Sequence, residues 1–334
     1  MLADTMSSIR RIAAVAAATA CLVWGGTPAL ADVTISDAAS PLTGVAFDPR
    51  SSRLFAVSET DGTNILVTDA KGAKLGSVSF SAKAESVQGL AVYSGSLYVG
   101  DVGDPGDNRN KITVYKLPLE LGKQSYNSYD FRYPDGSHDA KAVLVSGRGR
   151  IYVVTAGENP GIYYSELEPS RSGVNKLSRA SDAPAGVTDG VFLSDGVTMA
   201  LRTGTGVQVV DASSWETRAT LTYQGAPDGE SITTFSGDRM LVGAGPLLRE
   251  EAVPTSDGTV TISPSGEASA TPSPEPSENP ASSASPAPQE TTTQAPEEKT
   301  TQPARGGTRL AIGAAAVLAL AITKIGRASC RERV

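Results

Sequence analysis

Cysteine is almost missing from this chain: Cys21 and Cys330 are the only two, one near each end. The long stretch between them can form no internal disulfide, so whatever folds there is held by packing alone. Histidine is scarcer still. His138 stands alone, which excludes a histidine-rich metal centre and obliges any Ser-His-Asp hydrolase to use that one residue. It lies in the turn-like sequence PDGSHDA, where a solvated loop residue is expected. GxSxG, HExxH, CxxC and GxGxxG are all absent, and with them the common nucleophile, zinc, redox and dinucleotide signatures. Long hydrophobic runs are lacking too. The two apolar stretches, Ile12–Trp24 and Leu310–Ile322, are 13 residues each, short of the ~20 that span a bilayer. No segment keeps a persistent 3.6-residue apolar period, so helices are not expected in the folded part.

The first apolar stretch has the form of a secretory signal. Arg10 and Arg11 precede it, and Ala29-Leu30-Ala31 offers a small-x-small cleavage site before Asp32. Residues 1–31 are therefore expected to be removed on export. The second stretch is followed by KIGRASCRERV, Lys324–Val334, which back-translates in frame to a common short-read sequencing adapter. We exclude 324–334 from fold reasoning and read 308–323 as a transmembrane segment cut short, an anchor to the membrane. With two basic residues and one acidic residue set aside at the N-terminus, and four and one in the tail, 23 basic residues face 34 acidic ones, a net charge of −11. Phosphate backbones repel such a chain, which argues against nucleic-acid binding.

From Pro264 to Gly307 the composition collapses into Pro, Ser, Thr, Ala and Glu. Nothing there can repay the entropy of ordering, so 264–307 is expected to be a disordered, extended stalk. What remains is one folded domain, 32–263, long enough for a sizeable core. Within it one phrase recurs: an apolar strand, a tight turn, a second apolar strand. The copies are GVAFDPRSSRLFAVSE, GLAVYSGSLYVGD, KAVLVSGRGRIYVVTAGE, GVFLSDGVTMALR and SITTFSGDRMLVGAG, with starts 45, 52, 49 and 41 residues apart. That spacing fits a blade of four strands, and the fold class it predicts is all-β: a single β-propeller of five blades, six being the alternative. Strands are expected at Gly44–Phe47, Leu54–Ser58, Asn64–Thr68 and Leu75–Phe80 in the first blade, and at Gly89–Tyr93, Ser96–Gly100, Lys111–Leu117 and Ser128–Arg132 in the second. A propeller closes when one terminus completes the blade begun by the other. Val33-Thr34-Ile35-Ser36 recurs as Val260-Thr261-Ile262-Ser263, and either copy has the composition to supply the missing outer strand.

The densest polar constellation is DVGDPGDNRN, Asp101–Asn110. Hard cations take six to eight oxygens from flexible Asp- and Gly-rich loops, which makes Asp101, Asp104, Asp107 and Asn108 candidate ligands for Ca²⁺, the only cofactor suggested. The same residue types also satisfy turn geometry. Aligning the copies puts Glu59, Asp101, Glu158 and Arg202 at one class of loop. Gln88, Asp139, Asp189 and Glu230 fall at another class on the same face, with Lys141 as a further counter-charge. A ring of like charge in a concave mouth focuses a field that attracts cations, so this face is the expected ligand surface.

At Gln88–Leu117 (QGLAV…LYVGDVGDPGDNRNKITVYKL), Tyr133–Thr155 (YPDGSHDAKAVLV…IYVVT) and Gly229–Ile232 (GESI) the chain resembles a family of exported bacterial β-propellers common in actinobacteria, loosely similar to phytase-like and WD-type repeat proteins. The resemblance covers about Leu42–Pro254. In the phytase-like members clustered Asp and Glu hold Ca²⁺ ions that bind phosphate, which implies a metal-dependent hydrolase of phosphoesters or lactones. This chain departs from them by lacking the many Lys and Arg that grip a polyphosphate, and by carrying Lys141 where an acidic residue often follows Asp-Ala. The departures favour the other expectation: a binding or scaffold module, exported to the cell surface, held out on its stalk towards an extracellular partner.

Overall fold

The computed structural model describes residues 32–224, 229–254, 258–262 and 268–270. The signal, the membrane segment, the tail and nearly all of the stalk lie outside them. The described strands form five sheets, each built on an antiparallel blade. Blade 1 comprises Leu42–Asp48, Arg53–Ser58, Asn64–Asp69 and Lys74–Ser79; blade 2 comprises Val87–Tyr93, Ser96–Asp101, Ile112–Pro118 and Asn127–Arg132. Blade 3 runs through Ala140–Val145, Ile151–Thr155, Gly161–Tyr164 and Ser178–Asp182, and blade 4 through Val187–Phe192, Thr198–Thr203, Gly206–Asp211 and Thr217–Tyr223. Blade 5 has Ser231–Phe235, Arg239–Ala244 and Leu247–Ala252. The first strand of each blade packs on the first strand of the next, and that of blade 5 returns to that of blade 1, so the ring closes as a five-bladed β-propeller.

The closure resolves the ambiguity left by the repeated VTIS sequence. Val33–Thr34 pairs antiparallel with Leu247 and Leu248 and completes blade 5 from the N-terminal side. Gly258–Ile262 instead adds a parallel strand to the outside of blade 4, against Ala219–Tyr223. A further strand, Ala268–Ala270, pairs with Val260–Ile262 inside the segment expected to be stalk. Small and polar residues suffice there because an edge strand needs backbone pairing more than burial. Two other blade edges are also covered: Gly122–Lys123 lies parallel to Val78–Ser79, and Val174–Lys176 parallel to Asp130–Arg132. Covered edges leave fewer unpaired N–H and C=O groups open to another chain.

Burial explains why inner strands were easy to find and outer ones harder. Leu42–Asp48 is buried along its whole length, whereas Lys74–Ser79 is exposed or half-buried except at Val78. Around the axis the first strands of neighbouring blades lie so close that their backbones nearly touch. A Cβ at Gly44 would stand 2.8 Å from the Leu90 nitrogen, and one at Gly89 would stand 2.5 Å from the Val143 nitrogen on a backbone whose φ is +83°. Only glycine allows that approach, which gives the G-V/L-A repeat of the first strands its physical meaning. Five apolar clusters fill the spaces between neighbouring blades. Connections from second to third strand, and from one blade to the next, open on one face, the upper face. The other turns open on the lower face. Among the described residues no helix is long and apolar enough to cross a membrane.

Candidate functional site

The polar residues of the upper face concentrate where blade 2 meets blade 3. Asp101 closes the second strand of blade 2 and is buried. Its Oδ1 accepts the N–H groups of Glu85 (3.1 Å) and Ser86 (2.9 Å) and lies 3.1 Å from Nη1 of Arg109. The same Nη1 donates to the carbonyl of Gly103 at 2.8 Å, and Nε lies 3.4 Å from the exposed carboxylate of Glu85. Asp104, also buried, accepts the Arg109 N–H on Oδ2 at 2.7 Å and donates its own N–H to Asp139 at 2.8 Å. The other oxygen of Asp139 pairs with Lys141 at 3.0 Å.

The four expected calcium ligands are therefore not brought together. Asp107 and Asn108 face solvent at the loop tip, and Asp107 takes φ +48°, a turn conformation. The guanidinium of Arg109 is the positive charge that Asp101 meets in this loop. Among the described residues no three His, Cys, Asp or Glu side chains converge. The residue that composition did not point to is Arg109. Its signal was its position, a lone arginine inside an acidic loop.

The expected acidic ring divides into two kinds of group. Glu59 and Glu158 are exposed on the upper loops. Asp189 and Arg202 are buried, which removes them from any solvent-facing ligand surface. Asp189 accepts N–H groups from Gly190 (2.8 Å) and Ile232 (3.0 Å), so it links blade 4 to blade 5 at the axis. Arg202 donates to the Gly206 carbonyl at 2.7 Å and lies over the ring of Tyr223, 5.1 Å from its centroid. Glu230 is half-buried; one oxygen accepts Leu42 N–H at 3.2 Å and Gly245 N–H at 2.7 Å, stapling blade 5 to blade 1. Gln88 is buried at the entry to blade 2. Asp139, Asp189 and Glu230, at the first strands of blades 3, 4 and 5, thus each accept an N–H group from a neighbouring blade. Glu230→Ala strips two N–H groups of their acceptor and is expected to cost about 1–2 kcal/mol in urea unfolding; a loss within experimental error would show that water replaces the carboxylate.

His138 is not a solvated loop residue. Its Nε2 lies 3.0 Å from Asp135 and 3.1 Å from the hydroxyl of Tyr163, which itself donates to the other Asp135 oxygen at 2.9 Å. The rings of Tyr133 and Tyr163 pack on the imidazole with centroids 5.0 and 5.4 Å away. Burial, then the bond to Asp135, pushes the Tyr163 hydroxyl up to about 12, so it stays a donor. Burial raises the Asp135 carboxyl, but the bonds from His138 and Tyr163 outweigh this and hold it below the ordinary carboxylate range. Nothing in the sequence joins His138 to Tyr163, 25 residues on; the fold does.

The class defined here is a five-bladed propeller with a polar seam on its upper face. No protein-family model matches the chain, and no curated protein matches it. Among solved structures it is similar to a chain of a nidogen/laminin complex, at 13% identity and a TM-score of 0.42 over 60% of this chain and 71% of that one. It is also similar to a gluconolactonase from Xanthomonas campestris, at 18% identity and a TM-score of 0.42 over 64% of this chain and 72% of that one. Likeness this distant says nothing of activity or partner.

Proposed function

We propose that the chain is an exported binding module, displayed at the cell surface by its stalk and C-terminal segment, whose upper face docks a cationic protein segment. One observation carries this reading. The carboxylates a metal-dependent hydrolase would need as ligands (Asp101, Asp104, Asp139, Asp189 and Glu230) are already bonded to the chain's own N–H groups, arginine or lysine. Of the acidic residues singled out in the sequence, Glu59, Asp107 and Glu158 face water, spread over three blades, and Glu85 is exposed beside Arg109. Spread exposed charge of one sign suits steering and docking of an opposite charge better than catalysis. The signal-like leader and the stalk composition support the export part of the proposal.

Three measurements test it. Calcium in excess should leave the melting curve unmoved, because an ion that bound the folded state a hundredfold above its Kd would add ~2.7 kcal/mol. No turnover should appear with phosphomonoesters or lactones, with or without calcium. Conversely, an oligolysine peptide should bind at low salt, weaken as the Debye length shrinks, and weaken again in a Glu59→Gln, Asp107→Asn, Glu158→Gln variant. Calcium-dependent hydrolysis abolished by Asp104→Ala would overturn the proposal in favour of the hydrolase.

A further inference from the structure

A groove of about 560 Å³ opens on the lower face, lined by Tyr126, Asn127, Ser128, Pro169, Arg171 and Ser172. That volume lies within the ~300–1,000 Å³ of small-ligand sites. One wall is the start of the outer strand of blade 2. The other is the connection between the third and fourth strands of blade 3, which leaves its own blade and crosses to its neighbour. The crossing is fixed by the parallel pairing of Val174–Lys176 with Asp130–Arg132. Asn175 fixes it further: its amide donates to the Asp130 carbonyl (3.0 Å) and the Ser170 carbonyl (2.9 Å), and its oxygen accepts the Ser170 N–H at 2.8 Å. Tyr126 is pinned from behind by edge contacts to Tyr115 and Phe80, with centroids 5.4 and 5.5 Å away, yet keeps 38% of its surface exposed. The groove is therefore preorganised and its aromatic ring is on offer, a combination that lowers the ordering cost of binding.

We propose that this groove binds an acidic saccharide, with Tyr126 as the stacking platform and Arg171 as the contact for the carboxylate. The lining decides the class. Beyond Tyr126 and Pro169 it is polar, which disfavours an apolar molecule and offers no deep pocket for a peptide's side-chain anchor. A sugar ring presents C–H groups to an aromatic face and hydroxyls to amide and hydroxyl partners, here Asn127, Ser128 and Ser172. No carboxylate is among the lining residues, so Arg171 is the only charge in the groove, and a guanidinium recognises a carboxylate by a forked, charge-assisted pair. The groove faces away from the acidic upper rim, so its failure would leave the docking proposal standing.

Calorimetric titration of the whole protein with trigalacturonate, and with the neutral galactose trimer of the same linkage, tests this. The acidic trimer should bind with a Kd of about 1 mM or tighter, the neutral one at least ~10-fold more weakly, a gap of ~1.4 kcal/mol. Arg171→Ala should bring the acidic trimer down to the neutral level. Tyr126→Ala should remove both. Because Tyr126 also packs on its neighbours, Ser172→Trp serves as a second variant: it fills the groove without touching that packing and should block both sugars at an unchanged Tm. No binding of the acidic trimer at ten times the expected Kd overturns the proposal. So does equal affinity for the two sugars, or binding indifferent to Arg171→Ala and Ser172→Trp. Tetra-aspartate binding more tightly than the sugar, and lost with the same variants, would reassign the groove to a peptide and overturn it as well.

Discussion

Arg109→Met should destabilise the propeller by about 3 kcal/mol at neutral pH, the low end of what breaking a buried ion pair costs. The guanidinium is 11% exposed and its partner Asp101 only 3%. Methionine fills much of the volume and makes none of the bonds. Asp101 would then keep the N–H groups of Glu85 and Ser86 but lose its counter-charge, and the Gly103 carbonyl would lose its donor. The contact of Arg109 with Glu85 adds little, because that carboxylate is mostly in water. Urea unfolding gives the number, and a double-mutant cycle gives its origin. If the loss comes from an uncompensated carboxylate, Arg109→Met with Asp101→Asn should cost clearly less than the two single losses added. Simple additivity, or a loss from Arg109→Met below about 1 kcal/mol, would mean that the loop is held by its turns and not by the pair.

The strand pairs were legible because two adjacent strands of every blade are buried on both faces and read as continuous apolar runs between turn residues. Blade count followed from their spacing. The closing strand was not legible: Val33–Ser36 and Val260–Ser263 have the same residues in the same order, and only the free edges of blades 4 and 5 distinguish them. Gly122–Lys123 and Val174–Lys176 went unseen for a different reason, since two- and three-residue polar strands carry no period to detect. At the site, composition located the loop Asp101–Asn110 but not the bonds its carboxylates make. Residue types show how many oxygens a loop carries. They do not show which are already occupied by N–H groups or by an arginine two residues beyond the last aspartate. Export, calcium and partner were read from sequence alone.

Asp189→Ala is expected to cost about 3 kcal/mol at pH 5, the penalty for leaving buried N–H groups without an acceptor, and less as the pH rises. Asp189 is wholly buried. Burial pushes its carboxyl well above the ordinary carboxylate range, and the N–H groups of Ile232, Gly190 and Val45 only partly offset that push. No charged side chain contributes. A carboxyl whose proton is held more tightly in the folded state than in the unfolded one contributes its full stability below the unfolded value, near 3.9. That contribution is lost as the pH climbs through the folded value. Above it, the ionised group must stay charged against the axis without a counter-ion. Alanine removes both the acceptor and the titration. The difference in stability between the two proteins should therefore shrink as the pH rises from 5, while every other titrating group cancels in the comparison. Urea unfolding of both proteins at pH 5, 7 and 9 measures it directly. A difference that stays constant would show that the three N–H groups keep Asp189 ionised throughout, and a difference that grows with pH would show that they stabilise the charged form beyond what burial takes away.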